Sequence, residues 1–332
     1  MVPMARSADA RPLVALTVGD PAGIGPEVVL AALRDPFVRA STRLLVLGPG
    51  VLRPGDVPEM GAAPDSADSR WLDTGGSERW TMGTIQIEAG RAALAALRAG
   101  HDLAVSGRVD ALVTGPVSKQ ALHLAGEEVE GQTELLGRWS NVTRFEMIAI
   151  AEPLRVMLLT RHMPLRRAIA AVSTEKVIDR LALFDESLRR FGIEAPRLAL
   201  AGLNPHAGEG GLLGEEDDAI LRPAVDAARA RGIDVVGPKS PDAVFLQGAR
   251  GEFDGVLALY HDQAFIPIKL LSRDRGLTVI AGLPYLRVSP VHGTAFDIAG
   301  KGIASPSNLI AALQWASTRS SSPHDWPERA NG

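Results

Sequence analysis

The stretch LVALTVGDPAGIGPEVV, residues 13–29, reads as the opening of a parallel α/β fold. Its first part, Leu13 to Val18, is a continuous β-rich apolar run of the kind found in strands covered on both faces. A Gly/Pro turn follows. Pro26 then opens a segment in which Val28, Val29, Ala32 and Leu33 recur with the helical period. Working outward, RLLVLG (Arg43 to Gly48), DALVTG (Asp110 to Gly115), MIAIAEP, RVMLLTR, RLALAGL, IDVVGP, GVLALYH and LTVIAGL read as further strands. Segments of helical period, such as EKVIDRLALFDESLRRFG and DDAILRPAVDAARARG, stand between several of them. TIQIEAGRAALAALRAG reads as a strand passing into an Ala-rich helix that is capped by Gly100. The alternation predicts two α/β/α lobes with a largely parallel sheet and helices on both faces. The lobes are expected at residues 1–125 plus 290–332 and at residues 126–289.

Composition narrows the function. A chain of 332 residues is long enough for two domains at about 150 residues each. A hydrophobic share of 46% supports a sizeable core and excludes bulk disorder. With 35 basic against 39 acidic side chains, the net charge of -4 provides no general basic field, so neither nucleic acid nor an acidic membrane surface is an expected partner. There is no cysteine, which removes thiolate catalysis, Fe–S clusters and Cys-type zinc sites; any metal must rest on His, Asp or Glu. No segment approaches the roughly 18 apolar residues that span a bilayer. The start, MVPMARSADARP, lacks an apolar core and reads as a mobile arm, and the Ser- and Pro-rich end as a fraying tail. The expected location is the cytoplasm.

In open α/β folds ligands bind at the carboxyl ends of strands. GDPAGIGPEV lies at such an end, although a tight strand-to-helix turn explains its glycines equally well, and it is neither GxGxxG nor a P-loop. His162, His206 and His261 each follow a strand run. One such histidine is most simply a turn residue; three in equivalent positions point to a divalent metal, zinc foremost and magnesium or cobalt as alternatives. His101 and His324 read as surface residues, and His123 as a helical one. VTGPVSK brings Lys119 to a sharp strand exit, and Gln132 and Thr133 in EGQTE can donate to a phosphate or carboxylate. Lys269 and Arg287 are two cations suited to a phosphorylated or carboxylated substrate. Lys119, Asp242 and Asp262 are the candidate general bases, with Asp242 equally suited to capping a helix. The string SPVHGTAFDIAGKGIASP, residues 289–306, is too polar for core and reads as a ligand-binding loop leading into a helix.

Together, GDPAGIGPE, VTGPVSK, LNPHAGEGG, YHDQ and HGTAFDIAGKG resemble the 4-hydroxythreonine-4-phosphate dehydrogenase family of vitamin B6 biosynthesis, over about Leu13 to Leu313. GIGPE and the 291–306 string are also similar to isopropylmalate and isocitrate dehydrogenases, which share the fold. The resemblance implies a homodimer with active sites at the subunit interface, and a cleft between two α/β lobes. It implies oxidation of 4-phosphooxy-L-threonine by NAD or NADP, then decarboxylation to 3-amino-2-oxopropyl phosphate. Carried over by position, the metal ligands are His162, His206 and His261, one cation per subunit, and substrate contacts fall on Thr133, Lys269 and Arg287. By similarity to isopropylmalate dehydrogenase, His292, Gly293, Thr294, Ala295 and Asp297 form the cofactor loop, with Asp297 near the adenosine ribose, which favours NAD.

Two positions depart from the family. Gln132 stands where the family carries His in GHTE, and Thr278 where it carries Asn. Both still hydrogen-bond, and both bear on which substrate is taken. The alternatives are threonate or erythronate 4-phosphate and a cis-dihydrodiol dicarboxylate, the last suggested by IPIKLL, residues 266–271. Lys269, Arg287 and LNPHAGEGG keep the B6 substrate ahead. A non-redox phosphate acyltransferase is the alternative from another class; it needs neither the histidine triad nor the HGTAFD loop.

Overall fold

The computed structural model describes residues 9–62, 67–76 and 79–320 and divides into two compact units, residues 1–143 with 283–332 and residues 144–282. His324 lies outside the described residues. Among these residues, no helix is long and apolar enough to cross a membrane.

The first unit opens with β1 (Leu13–Thr17), α1 (Gly25–Leu33), α2 (Pro36–Ser41), β2 (Arg43–Gly48) and β3 (Ser69–Asp73). It continues with α3 (Ile87–Val105), β4 (Ala111–Thr114), α4 (Lys119–Leu124) and α5 (Gln132–Trp139). The second unit holds β5 (Glu146–Ala151), β6 (Leu154–Leu158), α6 (Leu165–Ala170), α7 (Thr174–Arg190) and β7 (Leu198–Ala201). After these come α8 (Arg222–Ala230), β8 (Val235–Lys239), α9 (Pro241–Ala249), β9 (Gly255–Ala258), α10 (His261–Ser272) and β10 (Leu277–Ala281). The chain then returns to the first unit with β11 (Arg287–Pro290) and α11 (Ser307–Ser320).

In the first unit the strand order is β3-β2-β1-β4-β11, parallel throughout. All residues of β1, β2 and β4 are buried, which is why those strands read as unbroken apolar runs. Helix α3 packs on β1, β2 and β4, and α11 on β4 and β11. The expected strand before α3 is absent, and α3 does not stop at Gly100 but runs on to Val105. There the glycine serves close packing: a Cβ at Gly100 would come within 2.7 Å of Leu112 Cδ1. His101 is likewise buried rather than on the surface, its Nδ1 2.9 Å from the Tyr285 hydroxyl, and burial pushes its pKa down.

In the second unit the order is β10-β5-β6-β9-β7-β8. The β6-β9-β7-β8 part is parallel, whereas β5 runs antiparallel to both β10 and β6. Its core joins β5, β6, β7 and β9 to Val244 and Phe245 of α9 and Ala264 and Ile268 of α10. The expected fold is present: mixed α/β with a mostly parallel sheet arrangement.

Candidate active site

Three neighbouring parallel strands of the second unit, β6, β9 and β7, carry His162, His261 and His206 just past their carboxyl ends. The His162 and His261 rings lie 5.2 Å apart between centroids. His261 Nδ1 is 2.8 Å from Asp262 Oδ1. That bond fixes the tautomer, leaving the Nε2 lone pair outward, as in carboxylate–histidine–metal arrangements. His206 stands beside Asp242 and lies exposed in a loop of unusual backbone. There φ is 53° at His206 and 55° at Ala207, left-handed values that non-glycine residues rarely hold. The fully buried Asp217 carboxylate holds this loop, accepting the backbone N–H groups of Leu203 at 2.9 Å and Asn204 at 3.1 Å.

The donor chemistry therefore suits a divalent cation. Within one chain the His162 and His261 imidazoles lie together. Among the described residues no group of three or more His, Cys, Asp or Glu side chains is placed to hold an ion. Beside these histidines lies a groove of about 560 Å³ along α9 and α10, lined by Phe245, Leu246, Tyr260, Ile266 and Leu270 and edged by Asp242 and Asp262. Asp242 forms a hydrogen bond with the Ser240 hydroxyl, which holds its pKa below the usual carboxylate range. Lys269 is exposed on α10, and Thr278 is buried on β10.

The first unit supplies an anion-seeking group. Arg287 is 3% exposed at the start of β11, with the Glu134 carboxylate close enough to favour its charge but not to offset burial. Its Nη2 donates to Thr114 Oγ1 at 2.7 Å and to Gln132 Oε1 at 3.1 Å, while Nε has no partner. Burial lowers its pKa to about 10. Gln132 opens α5 and also donates from Nε2 to the Gly115 carbonyl at 3.1 Å. Thr133 follows it, buried. A Cβ at Gly131 would lie 3.5 Å from Lys119 Cε, so the exposed Lys119 reaches the start of α5.

The proposed cofactor loop packs on the GDPAGIGPE turn. Ile24 N–H donates to the Thr294 carbonyl at 2.9 Å, and a Cβ at Gly23 would meet that same oxygen at 2.8 Å. Glu27 accepts the Gly300 N–H and, at 3.0 Å, the Gly302 N–H. His292 Nδ1 is 3.0 Å from the Gly293 carbonyl, which makes Nδ1 the donor and leaves Nε2 a buried acceptor with no partner. An unfilled acceptor of this kind suits the donor groups of a nicotinamide adenine dinucleotide. Ala295 has φ 41°, and Asp297 is exposed.

Sequence reasoning missed several of these residues. Glu27 was not singled out, although it stands in GIGPE at the start of α1. Asp20 is fully buried, with Oδ1 taking the Ala22 N–H at 3.0 Å and Oδ2 unpartnered, and burial raises its pKa to about 6. Its position between Gly19 and Pro21, directly after a strand, was the only hint.

Comparison with known proteins gives the family. A family model described as "Pyridoxal phosphate biosynthetic protein PdxA" matches residues 52–316. The 4-hydroxythreonine-4-phosphate dehydrogenase of Desulforapulum autotrophicum is 40% identical over 331 residues, covering 93% of this chain and 95% of the relative. The D-threonate 4-phosphate dehydrogenase of Salmonella typhimurium is 39% identical over 318 residues, covering 91% and 97%. The crystal structure of 4-hydroxythreonine-4-phosphate dehydrogenase from Klebsiella pneumoniae aligns with a TM-score of 0.85 and 36% identity, over 95% of this chain and 100% of that one. The chain belongs to the PdxA family of pyridoxal phosphate biosynthetic proteins.

Proposed function

We propose that this protein is a cytoplasmic, metal-dependent NAD dehydrogenase that oxidises and decarboxylates 4-phosphooxy-L-threonine to 3-amino-2-oxopropyl phosphate. The observation that carries the reading is the placement of His162, His261 and His206 at the ends of three adjacent parallel strands, with the His261 tautomer set by Asp262. The curated relatives named as dehydrogenases of this substrate support it.

Arg287 takes the anionic end of the substrate. A guanidinium 3% exposed with an unbonded Nε is costly to bury, and a phosphate would use that free donor. Gln132 and Thr133 orient that end, and Lys269 and Thr278 are further substrate contacts. Phosphate binding remote from the reacting carbon helps to hold it in place for reaction. When bound, the dinucleotide supplies the hydride acceptor and the cation supplies Lewis-acid polarisation of the hydroxyl oxygen. His292, Gly293, Thr294, Ala295 and Asp297 would hold the dinucleotide. Asp297 would repel a 2′-phosphate, hence NAD rather than NADP. Of the candidate bases, Asp262 is engaged with His261, and Asp242 is held ionised and weakly basic by Ser240. Lys119, Asp242 and Asp262 stand as the candidate acceptors of the hydroxyl proton.

The working unit is a homodimer whose partner completes the metal centre. The groove on α9 and α10 supports this, with Leu246 52%, Ile266 60% and Leu270 77% exposed in a single chain. One specific observation favours D-threonate 4-phosphate as a second reading. Gln132, a neutral amide with both ends bonded, stands where the family resemblance implies an ionisable His, a change that bears on which phosphorylated substrate is taken.

The test is NAD+ reduction with 4-phosphooxy-L-threonine, D-threonate 4-phosphate and D-erythronate 4-phosphate, before and after chelation and with Zn2+, Co2+ or Mg2+ restored. The first substrate should give the highest kcat/KM, and activity should depend on the metal. A higher value for D-threonate 4-phosphate selects the second reading; no NADH with any of the three overturns both.

A further inference from the structure

The histidine-bearing strand ends are joined by side chains that the chemistry above does not use. Gln263 lies in the first turn of α10, two residues after His261, and is 8% exposed. Its Oε1 accepts the Leu259 N–H at 2.7 Å, just past β9. Its Nε2 donates to the Gly202 carbonyl at 2.8 Å, just past β7. With both ends engaged, the amide has a single orientation. On the other flank Thr160, 2% exposed and two residues before His162, donates its hydroxyl to the Leu259 carbonyl at 2.8 Å. One peptide residue, Leu259, thus meets Thr160 through its C=O and Gln263 through its N–H. From there Gln263 reaches the segment that leads to His206.

These ties begin where the strand ladder ends. Beyond the last paired residues of β6, β9 and β7, regular pairing no longer fixes the spacing of the chains. Packing alone could fill the volume with an apolar side chain. A buried amide instead carries a desolvation cost and returns directional registry. We propose that Gln263 is a positioning residue that sets the spacing of the His162, His261 and His206 segments for cation binding, with Thr160 as the second tie. The inference rests on the metal reading above and assigns Gln263 no contact with substrate or metal.

The experiment measures the metal affinity of the full-length protein after chelation, by competition against a chromogenic chelator with Zn2+ and by the absorption spectrum with Co2+. Gln263→Met removes both bonds at similar volume and is expected to weaken Zn2+ binding by about 10- to 100-fold. It should also alter the Co2+ spectrum and move the metal-activation curve to higher concentration, while kcat at saturating metal stays close to the parental value. Thr160→Val cuts only the other tie and should weaken binding by about tenfold; it decides the matter if Gln263→Met does not fold. Parental Zn2+ affinity in folded variants overturns the positioning role and leaves the metal reading intact. A parental protein that binds no cation overturns both.

Discussion

Arg287 and Gln132 form a locked pair. The buried guanidinium donates to the Gln132 carbonyl oxygen at 3.1 Å, and the amide's other end is tied to Gly115. Neither partner carries negative charge. The pair is thus a fixed, buried cation with an unbonded Nε available to an anionic ligand, and its two members should respond to substitution differently.

Arg287→Lys keeps a charge but loses the planar fork, so both the Thr114 and Gln132 bonds cannot be kept along with an anion. A loss of about 2–4 kcal/mol in transition-state binding, or roughly 30- to 1,000-fold in kcat/KM, is expected. Steady-state kinetics with the phosphorylated substrate and its dephosphorylated analogue measure it; the analogue should show a much smaller difference.

Gln132→His places an ionisable ring beside Arg287. Protonation would add a second cation next to a buried one, which lowers the imidazole pKa below its usual value of about 6.5 in the free enzyme. The variant's kcat/KM profile should acquire an inflection on the acid side that the parent lacks. An unchanged profile between pH 5 and 7 would show that the position does not communicate with the substrate.

Asp262→Asn leaves a hydrogen-bonding group beside His261 but removes the charge that makes its Nε2 a better donor to a cation. Zn2+ affinity should fall by about 10- to 100-fold with a small change in substrate KM at saturating metal. Chelator competition gives the first quantity and kinetics the second. A collapse of kcat at saturating metal would instead mark Asp262 as the proton acceptor among the three candidates.

What could be read from the sequence, and what could not, follows from the range of each signal. Strands β1, β2 and β4 were legible because burial on both faces forces unbroken apolar runs. The direction of β5 was not, since MIAIA looks the same in either sense. Yet Ala151 pairs with Leu154, so Glu152 and Pro153 make a two-residue connection that only antiparallel neighbours can use. Gly100 read as a cap because a cap and a close helix–sheet contact demand the same residue. The histidines stood out by following strands, whereas Gln263, Asp217 and Glu27 act on backbone groups distant in sequence and carry no local periodicity. Polar residues with remote backbone partners are where a linear reading loses the site.

Glu27 connects the first helix to the cofactor loop through the Gly300 and Gly302 N–H groups. Glu27→Ala removes two charge-assisted bonds from a loop with left-handed glycines at both positions, φ 77° and 67°. Ordering the loop then falls to the bound dinucleotide, so the KM for NAD+ should rise by about 10- to 100-fold with little change in the substrate KM. Fluorescence titration with NADH tests binding separately from turnover. Equal losses for both ligands would mean the loop serves the whole site rather than the cofactor.

Asp20 makes the last case, through pH. Its folded-state pKa of about 6 exceeds the ordinary aspartate value of 3.8 because burial disfavours the carboxylate by more than the Ala22 and Ser118 backbone N–H groups favour it. Between those two values the folded protein binds more protons than the unfolded chain, so stability falls as pH rises through this window and levels off above it. The penalty is absent below the lower value and fully present at neutral pH, amounting to at most about 3 kcal/mol. Asp20→Asn abolishes the titration while retaining an oxygen for the Ala22 N–H. Its unfolding free energy relative to the parent should therefore increase from pH 4 to pH 7 and remain constant from pH 7 to pH 8. Denaturant melts across that range provide the measurement, and a difference independent of pH would show that Asp20 is ionised in the folded protein without cost.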